Sequence, residues 1–372
     1  MHDVVVVGAG PGGSTAARHL ALGGMDVLLI DRARFPRDKP CGGIATPGIV
    51  SIVGEEMLSV VEQRSEVCRF LLDMEPVADY PDRTLIFKRR RFDKLLLDLA
   101  RESGAGVREG AAVAAVDTSA PDRAEVVLED GERIATRCVV GADGACSRIA
   151  RSAGLWHPLR GRQGSFAMHI EVEVPRERAD EVLGPPEELR RSSYFFVGLH
   201  GVGWAFRKGG ALNVGMGTGC MARSDVRSWA DRLLEGLGLG RYRDRLRGQH
   251  IPGAFLPRVT ADRVLLVGDA AGAGNPATGC GIEDAIKTGM LAARALGRIL
   301  PRGLEPTAGR LRAYERSLGT LRHLQSSRGA VLRLVQDVQR CGWGTRDWMR
   351  LSLRMIARFD LESYVWTDPL RF

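Results

Sequence analysis

Lysine is nearly missing from this chain: five stand against 48 arginines in 372 residues. The arginines are scattered among acids, so the formal charge of +8 gathers into no block of one sign. Tracking a nucleic-acid backbone needs such a block, and a nucleic-acid partner is therefore not expected. A basic surface resting on anionic lipid stays open. The seven cysteines form no Cys-x-x-Cys pair and no Cys/His cluster with zinc spacing, so no metal site is expected. No apolar run reaches the ~18 residues that a membrane span needs. No charged leader or cleavage site precedes the run Val4 to Val7. The expected location is the cytoplasm, with peripheral contact at the inner membrane face as an open alternative.

With 44% hydrophobic residues, the chain has enough apolar side chains for a large core or two domains. "VVVV" reads as a strand buried on both faces of a parallel sheet, broken by "GAGPGG". "STAARHLALGG" continues with helical spacing and "DVLLID" is a second buried strand, so a βαβ unit occupies about 30 residues. "RRRFDKLLLDLARESGA" reads as a helix, followed by short strands in "VREGAAVAAVD", "RAEVVLED", "GERIATRC" and "VVGADG". Between Ser165 and Gly217 the pattern changes to alternation, which predicts a mostly antiparallel sheet. "RVLLVGDAAG" returns to a buried strand, "GIEDAIKTGMLAARALGRIL" is a helix, and Arg310 to Phe372 reads as helical.

Gly8, Gly10 and Gly13 satisfy G-x-G-x-x-G after a strand and at a helix start, with Asp31 at the end of the next strand. In that context the first glycine allows a tight turn, the second admits a pyrophosphate, and the third lets helix and strand pack closely. The helix that opens at Pro11 would offer unpaired N–H groups to the phosphates. Asp31, with Arg32 beside it, would accept hydrogen bonds from the adenosine ribose. The fingerprint alone does not separate NAD from FAD.

Three later segments, "RRRFDKLLLDLA", "VVGADGACSRIAR" and "VLLVGDAAGAGNPATGCGIEDAIKTG", resemble in order and rough spacing those of flavoprotein hydroxylases and their relatives, a resemblance that implies FAD. Asp269 follows Gly268 at a strand end, where it would meet the ribityl chain. Pro276, Gly279 and Gly281 shape the turn ahead of a helix whose first N–H groups, from Ile282, would face the flavin. Asp143 and Gly144 resemble the "DG" fingerprint of the same flavoproteins, which implies a place near the pyrophosphate, and Arg89 or Arg91 would neutralise phosphate or hold the flavin.

"DKPCGG" at Asp38 to Gly43, together with "FDKLL", "GADGACSR" and "NPATGCGI", resembles the geranylgeranyl reductase family, a branch of the para-hydroxybenzoate hydroxylase-like superfamily. The resemblance implies an α/β fold. Its parts would be a Rossmann-like FAD-binding domain, an inserted, mostly antiparallel β-sheet substrate domain and a C-terminal helical segment. The expected division is 1–75, 88–160 and 255–305 for the FAD-binding domain, 76–87 and 161–254 for the substrate domain, and 306–372 for the helical region. The resemblance also implies a hydrophobic small-molecule substrate, reduction of polyprenyl carbon–carbon double bonds, and NAD(P)H or another reductant as electron donor.

The family's Tyr-x-Trp-x-Phe-Pro-Lys strand is represented here by Val202 to Lys208. Trp204, Phe206 and Lys208 are kept, and the tyrosine and proline are replaced. Other chemistries of the same fold, an FAD-dependent aromatic monooxygenase or a flavin-dependent halogenase, therefore stay open as alternatives. For double-bond reduction a proton donor is required near the flavin. Cys41, flanked by Arg37 and Lys39 and followed by Gly42, is the first candidate and Glu283 the second, with Trp204 lining the cavity.

Overall fold

The computed structural model describes residues 1–72, 75–156, 164–183, 192–198, 201–218, 223–275 and 279–340. An eight-stranded sheet forms around the run at Val4 to Val7, all of which is buried. His2–Val7 lies in the middle, with Val27–Asp31 and then Gly106–Glu109 parallel on one side and Arg133–Gly141 and then Val264–Leu266 parallel on the other. Helices Pro11–Leu22, Arg89–Glu102 and Ile282–Gly297 pack together beside it. Two of them meet through glycines: a Cβ on Gly289 would stand 2.3 Å from the Gly12 carbonyl oxygen.

The segments "GERIATRC" and "VVGADG", expected as separate strands, form one nine-residue strand, Arg133–Gly141. Its first half pairs antiparallel with Ala124–Leu128 and its second half parallel with His2–Val7, so one strand serves two neighbours in succession.

The second sheet has seven strands, ordered Arg247–Pro252, Gly164–Glu173, Ala211–Thr218, Gly201–Lys208, Ser192–Gly198, Val67–Leu72 and Glu75–Pro81. All neighbours are antiparallel except Ser192–Gly198 with Val67–Leu72. The chain thus first enters this sheet at 67, ahead of the boundary expected at 76. One face is covered by helices Arg176–Leu183 and Arg223–Gly236 through Met168, Ile170, Val172, Val226 and Leu234. On the opposite face, Gly201–Lys208 lies against Val61–Arg64 and Leu85–Phe87. A small sheet of Ile44–Ala45, Leu85–Phe87 and Val61–Arg64 sits at the junction.

The C-terminal part is helical as far as it is described, in Ala308–Ser317 and Gly319–Arg340. Tyr314 is fully buried and its hydroxyl donates to the Leu266 carbonyl at 2.7 Å. Glu315 accepts from the amides of Val259 and Thr260, which fastens the same helix to the sheet. The tail segment beyond 340, expected to be helical, lies outside the described residues. Among the described residues no helix is long and apolar enough to cross a membrane.

Candidate cofactor and substrate cavities

At the carboxyl ends of the parallel strands lies a cavity of about 710 Å³. The three fingerprint glycines occupy the places their spacing predicts. Gly8 has φ +102°, and a Cβ there would lie 2.4 Å from the Ala142 carbonyl oxygen. On Gly13 a Cβ would fall 1.8 Å from the Gly8 oxygen. Gly10 is different: only the Arg37 guanidinium, 4.0 Å off, comes near, so its backbone is open to a group in the cavity. Gly8, Gly10 and Pro11 line the wall. The helix behind them has Pro11 at its start and no side-chain cap, leaving its first N–H groups for a ligand.

Asp31 accepts from the Ala9 amide at 2.7 Å and the Ala33 amide at 2.8 Å. A carboxylate has about four lone-pair sites, so capacity is left for ribose hydroxyls. Arg32, Arg89, Asp143, Gly144, Gly268, Asp269, Gly279, Gly281 and Ile282 line the same cavity. This combination of an open glycine, free helix N–H groups and an acid at the second strand end fits a dinucleotide of the FAD type.

Several groups differ from their expected duties. The Asp143 carboxylate accepts from the Ser147 hydroxyl at 2.6 Å and the Arg148 amide at 2.7 Å, so it organises the start of helix Arg148–Ser152. Burial raises its pKa, against those hydrogen bonds. Arg89 is buried and forks onto Asp93 at 2.7 and 2.8 Å. Burial opposes its charge, yet the Asp93 carboxylate more than offsets that and keeps the guanidinium firmly protonated. Asp93 also takes Arg37 at 3.0 Å. Lys39 and Asp269 are half-buried and line the same cavity; desolvation pushes each toward its neutral form and the opposite charge of the other resists.

Arg91 and Glu283 do not reach the cavity. Arg91 pairs with Glu62 at 3.0 Å and the Ser59 carbonyl at 2.9 Å on the outer side of its helix. One carboxylate oxygen of Glu283 accepts the Thr46 amide at 2.5 Å, which ties the start of helix Ile282–Gly297 to the strand after the cysteine turn. Pro276 lies outside the described residues.

A smaller cavity of about 80 Å³ opens beside the first, and Cys41, Gly281 and Ile282 belong to both. Gly42, Trp204, Phe195, Phe206, Met168 and Ile251 complete an apolar wall. Trp204, Phe206 and Lys208 alternate along Gly201–Lys208 and therefore share the face turned to the cysteine turn. A Cβ on Gly42 would meet the Phe206 ring at 3.0 Å, and one on Gly43 (φ +67°) would meet Lys208 Nζ at 2.9 Å. The two glycines thus let the turn lie flat on these side chains.

Sequence reasoning missed a polar cluster behind this turn. Asn213 Oδ1 accepts the Trp204 indole N–H at 2.8 Å, while its Nδ2 lies 3.1 Å from the Cys41 carbonyl oxygen, 3.1 Å from His169 Nδ1 and 2.9 Å from Glu171 Oε2. Lys208 Nζ, wholly buried, donates to the same Glu171 oxygen at 2.9 Å. Glu171 is partly desolvated, yet the Lys208 ammonium holds its carboxyl below the ordinary range; burial lowers the Lys208 pKa against the pull of Glu171, and the 2.9 Å contact makes the two an ion pair. Burial, reinforced by the Lys208 charge, lowers the His169 pKa to about 4. The one available signal was His169 and Glu171 two apart on a strand whose alternate residues are apolar. That pattern ordinarily marks a solvated face, and here the cysteine turn covers it.

Residues 1–184 match the family described as FAD binding domain. The chain is 33% identical over 350 residues to the menaquinone reductase of Mycobacterium tuberculosis, covering 86% of this chain and 83% of that one. It is 32% identical over 342 residues to a digeranylgeranylglycerophospholipid reductase of Methanothermobacter thermautotrophicus, covering 84% and 81%. A solved structure from Thermoplasma acidophilum, described as geranylgeranyl bacteriochlorophyll reductase-like, superposes with a TM-score of 0.75 at 25% identity, covering 90% of this chain and 87% of that one.

Proposed function

The chain belongs to the geranylgeranyl reductase family of FAD-dependent oxidoreductases, and from that premise we propose that it reduces carbon–carbon double bonds of a polyprenyl or related hydrophobic substrate. The observation that carries this reading is the small apolar cavity, with Trp204, Phe206 and Ile282 in its wall and the Cys41 thiol where it joins the cofactor cavity. FAD would be held by Gly8, Gly10, Pro11 and Asp31 at its adenosine and phosphate end and by Asp269, Gly279, Gly281 and Ile282 at the other. Bound FAD supplies the hydride, with NAD(P)H or another reductant as the source of electrons.

The chain's own residues have three tasks. Trp204, Phe206 and Phe195 exclude water and receive an alkene. Cys41 gives the proton that the second alkene carbon needs, since an isolated double bond has no carbonyl to absorb charge. Arg89, fixed by Asp93, lies against the thiol and would stabilise the thiolate left after transfer. Glu283, the second donor candidate, is engaged with the Thr46 amide and serves to place the turn.

The test is anaerobic mixing of the reduced holoprotein with polyprenyl alcohols, quinones and lipids. Reoxidation of the flavin without oxygen is expected, and Cys41→Ala should retain FAD but slow reoxidation by about 10²-fold, the usual size of an acid–base contribution. Reoxidation that occurs only with oxygen would overturn the reading in favour of a monooxygenase. Peripheral membrane contact is part of the proposal, since such substrates reside in lipid. Vesicle co-sedimentation of the holoprotein tests it.

A further inference from the structure

The smaller cavity is lined by two polar side chains that double-bond reduction does not use, His169 and Gln249. His169, Gly215, Trp204 and Phe195 form a row across four neighbouring strands, in register and on one face of the sheet. Gly215 carries no side chain in that row, and a Cβ there would come within 2.4 Å of the Trp204 ring and 2.6 Å of the His169 Cβ. The gap lets indole and imidazole sit close together at the cavity wall.

The orientation of the imidazole follows from hydrogen-bond logic. An indole N–H can only donate, so the Asn213 atom facing Trp204 is its oxygen. The amide nitrogen is then the atom facing His169 Nδ1. An amide nitrogen accepts no hydrogen bond, so a proton on Nδ1 would point at a donor; Nδ1 is therefore bare and the ring's single proton is on Nε2. Among the described residues Nε2 has no partner, and His169 lines the cavity.

We propose that His169 Nε2–H is a polar anchor for the substrate, donating a hydrogen bond to a neutral carbonyl-type oxygen, with Asn213 as the positioning residue that fixes the tautomer. The inference rests on the reading of this cavity as the substrate site. It narrows the substrate class, because the ring offers a donor and no acceptor. It also offers no positive charge, being neutral near pH 7. Ketone, quinone or ester oxygens suit such a group; a hydroxyl's own proton finds no acceptor on the ring and would have to turn to Gln249 Oε1, which has no partner among the described residues, and a diphosphate finds no counter-charge on the ring. The cations nearby, Lys208 and Arg89, are already taken by Glu171 and Asp93.

The experiment titrates oxidised holoenzyme with farnesylacetone, which carries a carbonyl, and with farnesene, a hydrocarbon of similar chain, following the flavin absorbance. Wild type should bind the ketone about tenfold more tightly, the scale of one well-placed hydrogen bond. His169→Phe should abolish the preference while leaving farnesene binding unchanged, and His169→Gln, which keeps an N–H donor, should restore part of it. Asn213→Leu should also abolish it, and the double variant with His169→Phe should lose nothing more, which a merely structural role for Asn213 would not produce. FAD retained per chain checks folding. Equal weakening of both ligands in His169→Phe, an unchanged preference, or no saturable binding of either ligand would overturn the anchor. If the preference appears but no polyprenyl compound reoxidises reduced enzyme anaerobically, the anchor stands and the reductase reading fails.

Discussion

His169 titrates in a surrounding of fixed charges, and its protonation should be visible in stability. The folded ring has a pKa of about 4 and an unfolded histidine about 6.5, so between those values the unfolded chain binds more protons. Stability is therefore lost as pH falls from about 6.5 toward 4, by roughly 3 kcal/mol when the shift is converted at about 1.4 kcal/mol per unit. Asp143 and Asp269, whose folded pKa values are raised by burial, act with the opposite sign at the acidic end of that range. Only the difference between wild type and His169→Phe isolates the ring. Urea unfolding at pH 7 and pH 4.5 should show a smaller loss of stability in the variant, and an identical loss would refute the assignment. At this scale the glycines were legible before the fold was known, because Gly8 and Gly13 answer to backbone geometry that a spacing reveals. Glu283 and Arg91 were not: an acid in the first turn of a helix or an arginine in a basic run can face several ways, and packing alone decides.

At the level of elements, the strand carrying Trp204 shows how far a pattern can be read. Alternation predicted a strand here, and in the structure Trp204, Phe206 and Lys208 share one face of it. What alternation could not supply was the register with the neighbouring strand, which sets Gly215 opposite Trp204 and Asn213 opposite Phe206. Register depends on pairing between residues far apart in the chain, and the polar cluster exists only because of it. Gly215→Ala should push the indole or the imidazole aside, costing about 1–3 kcal/mol as other overpacked sites do. FAD content should be unchanged, while affinity for hydrophobic ligands should drop at least tenfold. Flavin-absorbance titration reads both, and unaltered affinity would mean that the 80 Å³ space is not the ligand site.

Across the whole molecule, the two sheets and the C-terminal helices depend on a few polar ties. The Tyr314 hydroxyl reaches the Leu266 carbonyl in the strand that leads directly to Gly268 and Asp269. Tyr314→Phe leaves that carbonyl buried and should destabilise the fold by about 1–3 kcal/mol. Chemical denaturation would measure this, and FAD retention should fall with it because the strand end lines the cofactor cavity. The parallel sheet and its nucleotide cradle were readable from "VVVVGAGPGG" and "DVLLID", whose local pattern and long-range role agree. The entry of Val67–Leu72 into the second sheet was not, since that parallel pairing joins segments more than a hundred residues apart.

The tie between Glu283 and Thr46 carries a mechanical corollary. It clamps the backbone just past the cysteine turn to the first turn of the helix that closes the cofactor cavity. Thiol and helix end therefore behave as a single lever arm, and the gap between Cys41 and Ile282 keeps its width by a strut as well as by packing. Loosening that strut would alter the aim of the thiol without touching its chemistry.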